Sequence, residues 1–362
     1  MAGVLQRLLT RSGILPVLRA RWREDLAAVS DKLEKRIDKK FDALTRDIER
    51  LRTELSERPH AAGSATNASP DLVERLSRVD REVRTLRDTM ALDIADRRRG
   101  GDRATLFQAS AVAEHVQRAI ARAPIETDPS VHIVIEDLLP ADSYQALLEG
   151  IPPAIFFSQK DDTKQNLRLS GLRVAPARTI DTLSFLEETL IPRIMVPALM
   201  GKFAPHILEF YIREYGQEQG PALAAIPHEA TAGRLMLRRP GYHLDPHLDP
   251  KRVVVTCLLY FARPGDSEAF GTSFYRINGT PRIDRTNTFY PGSQGLTCDL
   301  VKMVLFKPNS AVAFVNWGGA HGADIPKSAP PDTERFSYQF YVSPDPAALA
   351  AIVGETETAI AD

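Results

Sequence analysis

The stretch that decides the fold reads Arg239-Pro240-Gly241-Tyr242-His243-Leu244-Asp245-Pro246-His247-Leu248-Asp249-Pro250, and the apolar run Val253 to Phe261 follows it directly. It contains two overlapping His-x-Asp units, which begin at His243 and at His247. Residues two apart on an extended backbone point the same way, so each unit can present an imidazole and a carboxylate to one ion. Two ligands do not complete a metal site, so a third must come from elsewhere in the chain.

The third candidate ligand is His321, in a glycine-rich segment just after the apolar run Ala311 to Val315. Two histidines and one carboxylate, with coordination positions left open, suit non-haem Fe(II) and oxygen chemistry. Farther along, the alternating stretch Glu334 to Val342 carries Arg335 and Ser337 two residues apart. These two side chains therefore share one face of a predicted strand.

Taken in order, His247-x-Asp249, His321 and Arg335-x-Ser337 resemble the signature of the Fe(II)/2-oxoglutarate-dependent dioxygenases, in the prolyl-4-hydroxylase-like branch. The resemblance implies an enzyme that uses Fe(II), 2-oxoglutarate and O2, with ascorbate as a candidate reductant, to hydroxylate a peptide or small-molecule substrate and to release succinate and CO2. The carboxylate of Asp249 favours hydroxylation or a related oxidation, because halogenases of this superfamily leave that position free for halide. The substrate itself is not specified by the motif.

The resemblance also implies a role for each candidate site residue. The metal ligands are His247, Asp249 and His321, and the frame of His247 is preferred to that of His243 because Asp249 lies only a few residues before the long apolar strand. Three residues are assigned to the cosubstrate: Arg335, Ser337 and Tyr260. Of these, Arg335 pairs with the distal carboxylate of 2-oxoglutarate. Three more are candidates for substrate contact or pocket lining, namely His243, Arg239 and Thr256. Two alternatives stay open: Lys327 is a rival anchor, and Tyr260 can equally be a core aromatic.

The fold prediction is a mainly β catalytic domain, a double-stranded β-helix or jelly roll with flanking helices, preceded by an N-terminal α-helical coiled coil. Short strands with Gly and Pro between them favour a sandwich or barrel. We place the dioxygenase domain at 104–349, its jelly-roll core at about 233–345 and a C-terminal tail at 350–362. The predicted strands are Val131 to Ile135, Arg234 to Arg238, Val253 to Phe261, Thr272 to Ile277, Lys302 to Phe306, Ala311 to Val315 and Arg335 to Val342. The predicted helices are Ala104 to Ala121, Pro140 to Gly150 and Asp181 to Phe203, the last continuing over Ile207 to Tyr215 before a loop around Gly220 to Ala232.

The N-terminal third has a different pattern. Residues 1–23 form a basic, amphipathic lead-in, for which peripheral membrane contact and an import presequence are alternatives to a simple apolar lead-in, the interpretation we prefer. Apolar residues then recur at spacings of three and four over 24–58, which predicts a coiled coil. A flexible linker at 59–70 and a second helical or coiled-coil segment at 71–99 follow. So narrow an apolar stripe needs a partner, so we expect a homo-oligomer or a coiled-coil partner through residues 24–99, unless the two segments fold back on each other.

Composition excludes several function classes. The 362 residues carry a formal net charge of -1, so we predict no nucleic-acid partner and see no overall reason for acidic substrates. Only Cys257 and Cys298 are present, which indicates core thiols in a reducing compartment, and we expect a cytoplasmic protein. Two other functions compete with the oxygenase: a coiled-coil scaffold with a non-catalytic metal-binding β-domain, and a cupin-type metal protein that does not use 2-oxoglutarate. The second leaves Arg335 and Ser337 unexplained.

The coiled-coil prediction is testable without any knowledge of the chemistry. A truncated chain that begins at Asp102 lacks both apolar seams, so light scattering should report a smaller oligomer than for the full chain. The same assembly size for both chains would contradict the prediction.

Overall fold

The computed structural model describes residues 106–107, 109–158, 161–168, 176–279 and 286–354, together with single helical positions at residues 46, 49, 50, 53 and 83. The predicted lead-in 1–23, coiled coil 24–58, linker 59–70 and second helical segment 71–99 otherwise lie outside the described residues. So does residue range 355–362 of the predicted tail. These segments, the predicted domain bounds and the coiled-coil partner stay predictions.

The described chain forms five α-helices and ten strands. The helices are α1 Ala109–Arg122, α2 Ala141–Gly150, α3 Ala177–Ser184, α4 Val196–Ala225 and α5 Pro346–Val353, with a π-helical stretch Phe185–Met195 joining α3 to α4 and 3-10 turns at Ala154–Phe156 and Pro291–Gln294. The strands are β1 His132–Ile135, β2 Lys164–Leu167, β3 His228–Arg238, β4 His243–His247, β5 Val255–Tyr260, β6 Thr272–Asn278, β7 Thr297–Val304, β8 Ser310–Val315, β9 Ala320–Asp324 and β10 Arg335–Pro344. Within the described residues, none of the helices combines the length and the apolar character that crossing a membrane requires.

The strands form two antiparallel sheets. One has six strands in the order β1-β8-β5-β10-β3-β2, and the other has four in the order β4-β9-β6-β7. From β3 to β10 the chain passes back and forth between the sheets, since β3, β5, β8 and β10 belong to the first and β4, β6, β7 and β9 to the second. Eight strands divided in this way are what the predicted jelly roll requires. The prediction of a mainly β domain with flanking helices is confirmed for the described residues.

Residue alternation gives the six-stranded sheet two different buried faces. One face contributes to a core shared with the four-stranded sheet, whose buried members are Met236, Leu258, Tyr260, Ala262, Phe274, Val304, Phe306, Val312 and Phe314. The other face meets the helices, as when Tyr338 on β10 donates a hydrogen bond from its hydroxyl to Glu187 Oε1 in the π-helical stretch at 2.8 Å. A strand buried on both faces reads as a continuous apolar run, which is why Val253 to Phe261 shows little alternation.

The predicted loop around Gly220 to Ala232 is wrong. Helix α4 extends to Ala225, and β3 begins at His228. The helical pattern is interrupted before the predicted loop: Gly216, with φ 89° and ψ 167°, has a non-helical conformation open to glycine and lies at a kink between two helical stretches that together make up α4. Beyond the kink, Leu223 is fully buried, so packing stabilises a segment whose local sequence favours a loop.

The central core residue is Phe274, which stacks on His132 with ring centroids 4.6 Å apart and meets Phe314 edge-on at 5.2 Å. Phe274→Ala should lower the free energy of unfolding by about 3–5 kcal/mol, because it removes a fully buried ring and leaves a cavity. Leu300→Ala is the matched control on β7, where the side chain is 59% exposed, and it should change stability by no more than about 0.5 kcal/mol. Chemical denaturation measures both, and similar losses in the two variants would contradict this placement of the core.

Candidate metal centre

The candidate site begins with the pairing of β4 and β9. His247 and His321 are direct cross-strand partners, and their ring centroids are 4.1 Å apart. The neighbouring Gly322 permits this close approach, because a Cβ at that position would lie only 2.7 Å from the carbonyl oxygen of Leu244. The pairing therefore brings together two imidazoles that are far apart in sequence.

An irregularity in β4 selects which of the two His-x-Asp units faces inward. In a regular strand His243 and His247 would share a face, but the register shifts between Leu244 and His247. As a result His247 is buried, whereas His243 is exposed and forms hydrogen bonds with Asp324 at 2.9 Å and with Asp245 at 3.0 Å. Those two carboxylates raise the pKa of His243. The first unit is thus turned toward solvent and the second toward the interior.

Asp249 completes a cluster with the two buried histidines. Its Oδ1 lies 3.8 Å from His247 Nε2, and its Oδ2 lies 3.6 Å from His321 Nε2. One ligand atom from each of the three residues lies within 4.8 Å of the others. Ligand atoms about 2.1 Å from one ion stand roughly 3–3.5 Å apart, so a small inward adjustment would satisfy a single metal ion. Among the described residues, this is the one cluster of His, Cys, Asp or Glu side chains with such geometry.

Hydrogen bonding and burial prepare the three side chains for metal binding. His247 donates its Nδ1 hydrogen to the carbonyl oxygen of Asp245 at 2.9 Å, which leaves Nε2 free to bind a metal. Burial, reinforced by His247, lowers the pKa of His321 to about 3, so its imidazole is neutral near pH 7. Burial alone would raise the pKa of Asp249, but the two imidazoles and two hydroxyl donors outweigh it and leave the pKa below its usual range.

Two hydroxyl groups hold the Asp249 carboxylate. Thr256 Oγ1 donates to Oδ2 at 2.6 Å, and the Tyr341 hydroxyl donates to Oδ1 at 3.3 Å. Thr256 on β5 and Tyr341 on β10 are cross-strand partners, so neighbouring strands present both donors together. Sequence reasoning assigned Thr256 to the pocket lining, but the structure places it behind Asp249. The sequence prediction missed Tyr341, whose only sequence signal is its position in the same strand as Arg335.

Asn316 fixes the backbone that carries Asp249. Its Oδ1 accepts from the Asp249 amide at 3.1 Å, and its Nδ2 donates to the carbonyl oxygens of Asp249, Pro250 and Val253 at 3.0, 3.1 and 2.9 Å. One buried amide therefore ties the segment between β4 and β5. Sequence reasoning missed Asn316, although a polar residue directly after the apolar strand β8, in the same segment as His321, was a usable signal.

The metal ligands open into a cavity of about 200 Å³ that Arg335 also lines. Arg335 is 3% exposed and packs against two adjoining aromatic rings, its guanidinium carbon 5.4 Å from the centre of Tyr260 and 5.2 Å from that of Phe306. Its Nη1 contacts Ser337 Oγ at the long distance of 3.5 Å, while Nε and Nη2 are buried with no hydrogen-bond partner in the structure. Buried, unpaired N–H groups beside a cavity indicate a binding position for an acceptor.

The structure places the other predicted site residues away from the cavity lining. Tyr260 is a buried aromatic whose hydroxyl donates to Thr272 Oγ1 at 2.7 Å, and Ser337 contacts Arg335 from behind. Arg239 is held by Gln165 at 3.1 Å and by Glu334 at 2.7 Å. Arg239 is therefore held outside the cavity lining by these two partners. His243 faces solvent, so the structure supports a pocket-lining role for neither residue. The rival anchor Lys327 is exposed.

Comparison with known proteins gives matches in structure alone. No protein-family model matches the sequence, and no curated protein matches it. A prolyl-4-hydroxylase from Pseudomonas putida is 14% identical, with a TM-score of 0.32, over 64% of this chain and 97% of its own. A prolyl 4-hydroxylase structure from Phytophthora capsici is 15% identical, with a TM-score of 0.34, over 71% and 76%. HygX from Streptomyces hygroscopicus, with nickel, 2-oxoglutarate and hygromycin B bound, is 14% identical, with a TM-score of 0.29, over 60% and 84%.

Two of these three structures are prolyl-4-hydroxylases, the kind of protein that the sequence motif resembles. The His-Asp-His cluster is an observation on this chain itself. At these identities and TM-scores, its activity has to be inferred from the geometry of its own site.

The support of Asp249 by Thr256 is directly testable. Thr256→Val keeps the shape of the side chain but removes the 2.6 Å hydrogen bond, so Fe(II) affinity should fall about 10- to 100-fold. Anaerobic competition with a chelator measures this. Thr297→Val, which loses a hydrogen bond from Asn278 at the exposed start of β7, is the control and should leave the affinity unchanged. Unchanged affinity in Thr256→Val would contradict the role given to this hydroxyl.

Proposed function

We propose that this protein is an Fe(II)- and 2-oxoglutarate-dependent oxygenase that hydroxylates a peptide or small-molecule substrate. One observation carries the proposal: the buried cluster of His247, Asp249 and His321 opens into the same cavity as Arg335, whose buried Nε and Nη2 have no partner in the structure. A metal-ligand set and an anion-binding group are thus positioned to hold the two ends of one ligand.

The donor set fits Fe(II). Two imidazoles and one carboxylate are the ligands that non-haem iron oxygenases use, and they leave open positions for a chelating keto acid and for oxygen. When bound, Fe(II) with 2-oxoglutarate supplies the oxidising chemistry, while the chain binds, orients and excludes water. The hydrogen bonds to the ligands support this role, because the Asp245 carbonyl orients the His247 imidazole, and Thr256 and Tyr341 orient the Asp249 carboxylate.

Arg335 fits the far carboxylate of the keto acid. A planar guanidinium binds a carboxylate with two parallel hydrogen bonds, and two of its N–H positions are free here. The two ends of the cavity are separated along β5 and β10, because Thr256 pairs with Tyr341 at the metal end and Tyr260 pairs with Ser337 at the arginine end. Four residues of strand span about 13 Å, which the Arg335 side chain, a five-carbon diacid and the metal bond can fill between them.

The alternatives account for less of the site. A metal protein that does not use a keto acid has no need for a buried arginine beside its metal ligands, and burying unpaired N–H groups costs free energy. A scaffold with a relic site would gain nothing from the hydroxyl and amide groups that hold Asp249 in place. The oxygenase uses all of them.

The proposal is tested by anaerobic titration of the Fe(II)-loaded protein with 2-oxoglutarate. Chelation of Fe(II) by the keto acid should produce a visible charge-transfer band. In Arg335→Met, which keeps the side-chain length and loses the charge, half-saturation should require about 10- to 100-fold more 2-oxoglutarate, because a charge-assisted pair is removed.

Arg263→Met is the matched control. Arg263 stacks on Phe336 at 5.0 Å and pairs with Glu334, outside the cavity that holds the metal ligands, so its loss should leave the titration unchanged. A metal-replete protein that shows no band would overturn the proposed function. A band that Arg335→Met leaves unaltered would overturn the role of Arg335.

A further inference from the structure

The cavity beside the metal cluster has an excess of positive charge. Arg234, Arg238, Arg335 and the exposed Lys164 all line it, and among the described lining residues the one acid is Asp249. None of the three arginines forms a salt bridge with a carboxylate in the part of the chain that the structure describes. This local charge contrasts with the formal net charge of -1 for the whole chain.

The strand register makes this arrangement costly. Arg335 on β10 is directly opposite Arg238 on β3, and both are buried. Like charges at opposed positions destabilise a strand pair. Burial, together with the nearby Arg335 and Arg234, accordingly lowers the pKa of Arg238. An anion in the cavity would offset this repulsion.

The proposed cofactors do not supply enough negative charge. Asp249 carries one negative charge and 2-oxoglutarate two, while Fe(II) carries two positive charges, so metal, ligand and cosubstrate together contribute one negative charge. Three guanidinium groups, which stay protonated in proteins, and the exposed ammonium group of Lys164 face that single charge. Three positive charges remain for another ligand or the solvent to balance.

Arg234 is held by fewer hydrogen bonds than Arg238. The two terminal nitrogens of Arg238 are fixed by the carbonyl oxygens of Gln165 and Leu237, at 2.7 and 3.0 Å, and by Asn166 Oδ1 at 3.0 Å, although its Nε is buried without a partner in the structure. Arg234 instead donates from Nη2 to the neutral amide oxygen of Gln339 at 2.6 Å, and its Nε is buried without a partner in the structure.

Arg234 also lies close to the metal ligands. Its guanidinium carbon is 5.7 Å from the centre of the Tyr341 ring, and the hydroxyl of that ring contacts Asp249. An anion held by Arg234 would therefore be separated from the cluster by about the length of the Tyr341 side chain. Arg335, by contrast, is the first residue of β10, whereas Tyr341 lies near the C-terminal end of that strand.

We propose that the substrate carries an oxyanion, a carboxylate or a phosphate, and that Arg234 binds it in this cavity, with Arg238 adding positive potential. This proposal rests on the proposed function and adds the chemical class of the substrate. Arg234 is then a specificity-determining residue, because an uncharged analogue leaves its charge unbalanced in a cavity that already holds two other arginines.

The test uses the full chain loaded anaerobically with Fe(II) and 2-oxoglutarate. Methyl phosphate, acetate and the neutral analogue acetamide are titrated as probes, and broadening of each methyl NMR signal by the bound iron reports binding near the metal. At least one anion should bind about tenfold or more tightly than acetamide, and the tighter of the two identifies phosphate or carboxylate as the natural group.

Two variants test the residue itself. Arg234→Gln should weaken anion binding about 10- to 100-fold while the 2-oxoglutarate band is retained. Gln339→Glu is sharper, because it nearly preserves shape and places a carboxylate where the amide oxygen lies 2.6 Å from Arg234, so an internal anion should displace the probe. Arg276→Gln, which removes an exposed arginine paired with Asp128, is the control and should have no effect.

The outcomes separate this inference from the proposed function. If the 2-oxoglutarate band forms but neither anion outcompetes acetamide, or if binding persists in both Arg234→Gln and Gln339→Glu, the anionic-substrate proposal is overturned. If no band forms while anion binding is still lost in Arg234→Gln, the oxygenase assignment fails and the anion site stands.

Discussion

The cross-strand pairing of His247 with His321 is the contact on which the candidate site depends. It sets two imidazoles side by side in the four-stranded sheet and so defines the position that Asp249 must reach. A carboxylate is stable in that interior only with compensation, because burial of an unpaired charge costs far more than one hydrogen bond returns. The hydroxyls of Thr256 and Tyr341 and the adjacent imidazoles provide it. The six-stranded sheet therefore completes a site that the four-stranded sheet begins.

At the end of the cavity away from the metal ligands the buried charge is positive, and it too needs compensation. Arg335 lies over two adjoining aromatic rings, which attract its charge and leave the N–H groups of Nε and Nη2 unpaired. Orientation is thus provided without consuming the hydrogen-bonding capacity that a carboxylate would use. With Arg234 and Arg238 nearby, the cavity wall is cationic and the metal cluster is its anionic counterpart. The whole-chain charge gives no indication of this, because exposed acids elsewhere cancel it in the sum but are too far away and too well solvated to cancel it in the cavity.

Much of the fold was predictable because buried strands appear in the sequence as apolar runs. Val253 to Phe261 and Ala311 to Val315 read as buried strands, and both are central strands of the six-stranded sheet. The prediction of a loop at Gly220 to Ala232 was wrong because packing can override local sequence preference. Here the burial of Leu223 stabilises a helix. The contributions of Asn316 and Tyr341 were missed because their partners lie 67 and 92 residues away, a separation at which composition and spacing carry no information about contact.

By itself, the sequence determined the ligand types and their order: a His-x-Asp unit before a buried strand, a later histidine and an arginine that begins the last strand. It could do so because residue identity sets what a side chain can bind, and strand periodicity sets which neighbours share a face. The sequence also favoured the second His-x-Asp unit, but only the tertiary structure showed how the first is turned away, because a register shift within β4 reverses the face of everything beyond it. Only the tertiary structure placed Arg234, Arg238 and Arg335 around one cavity, because the charge of a site is set by which strands pair and not by where residues occur along the chain.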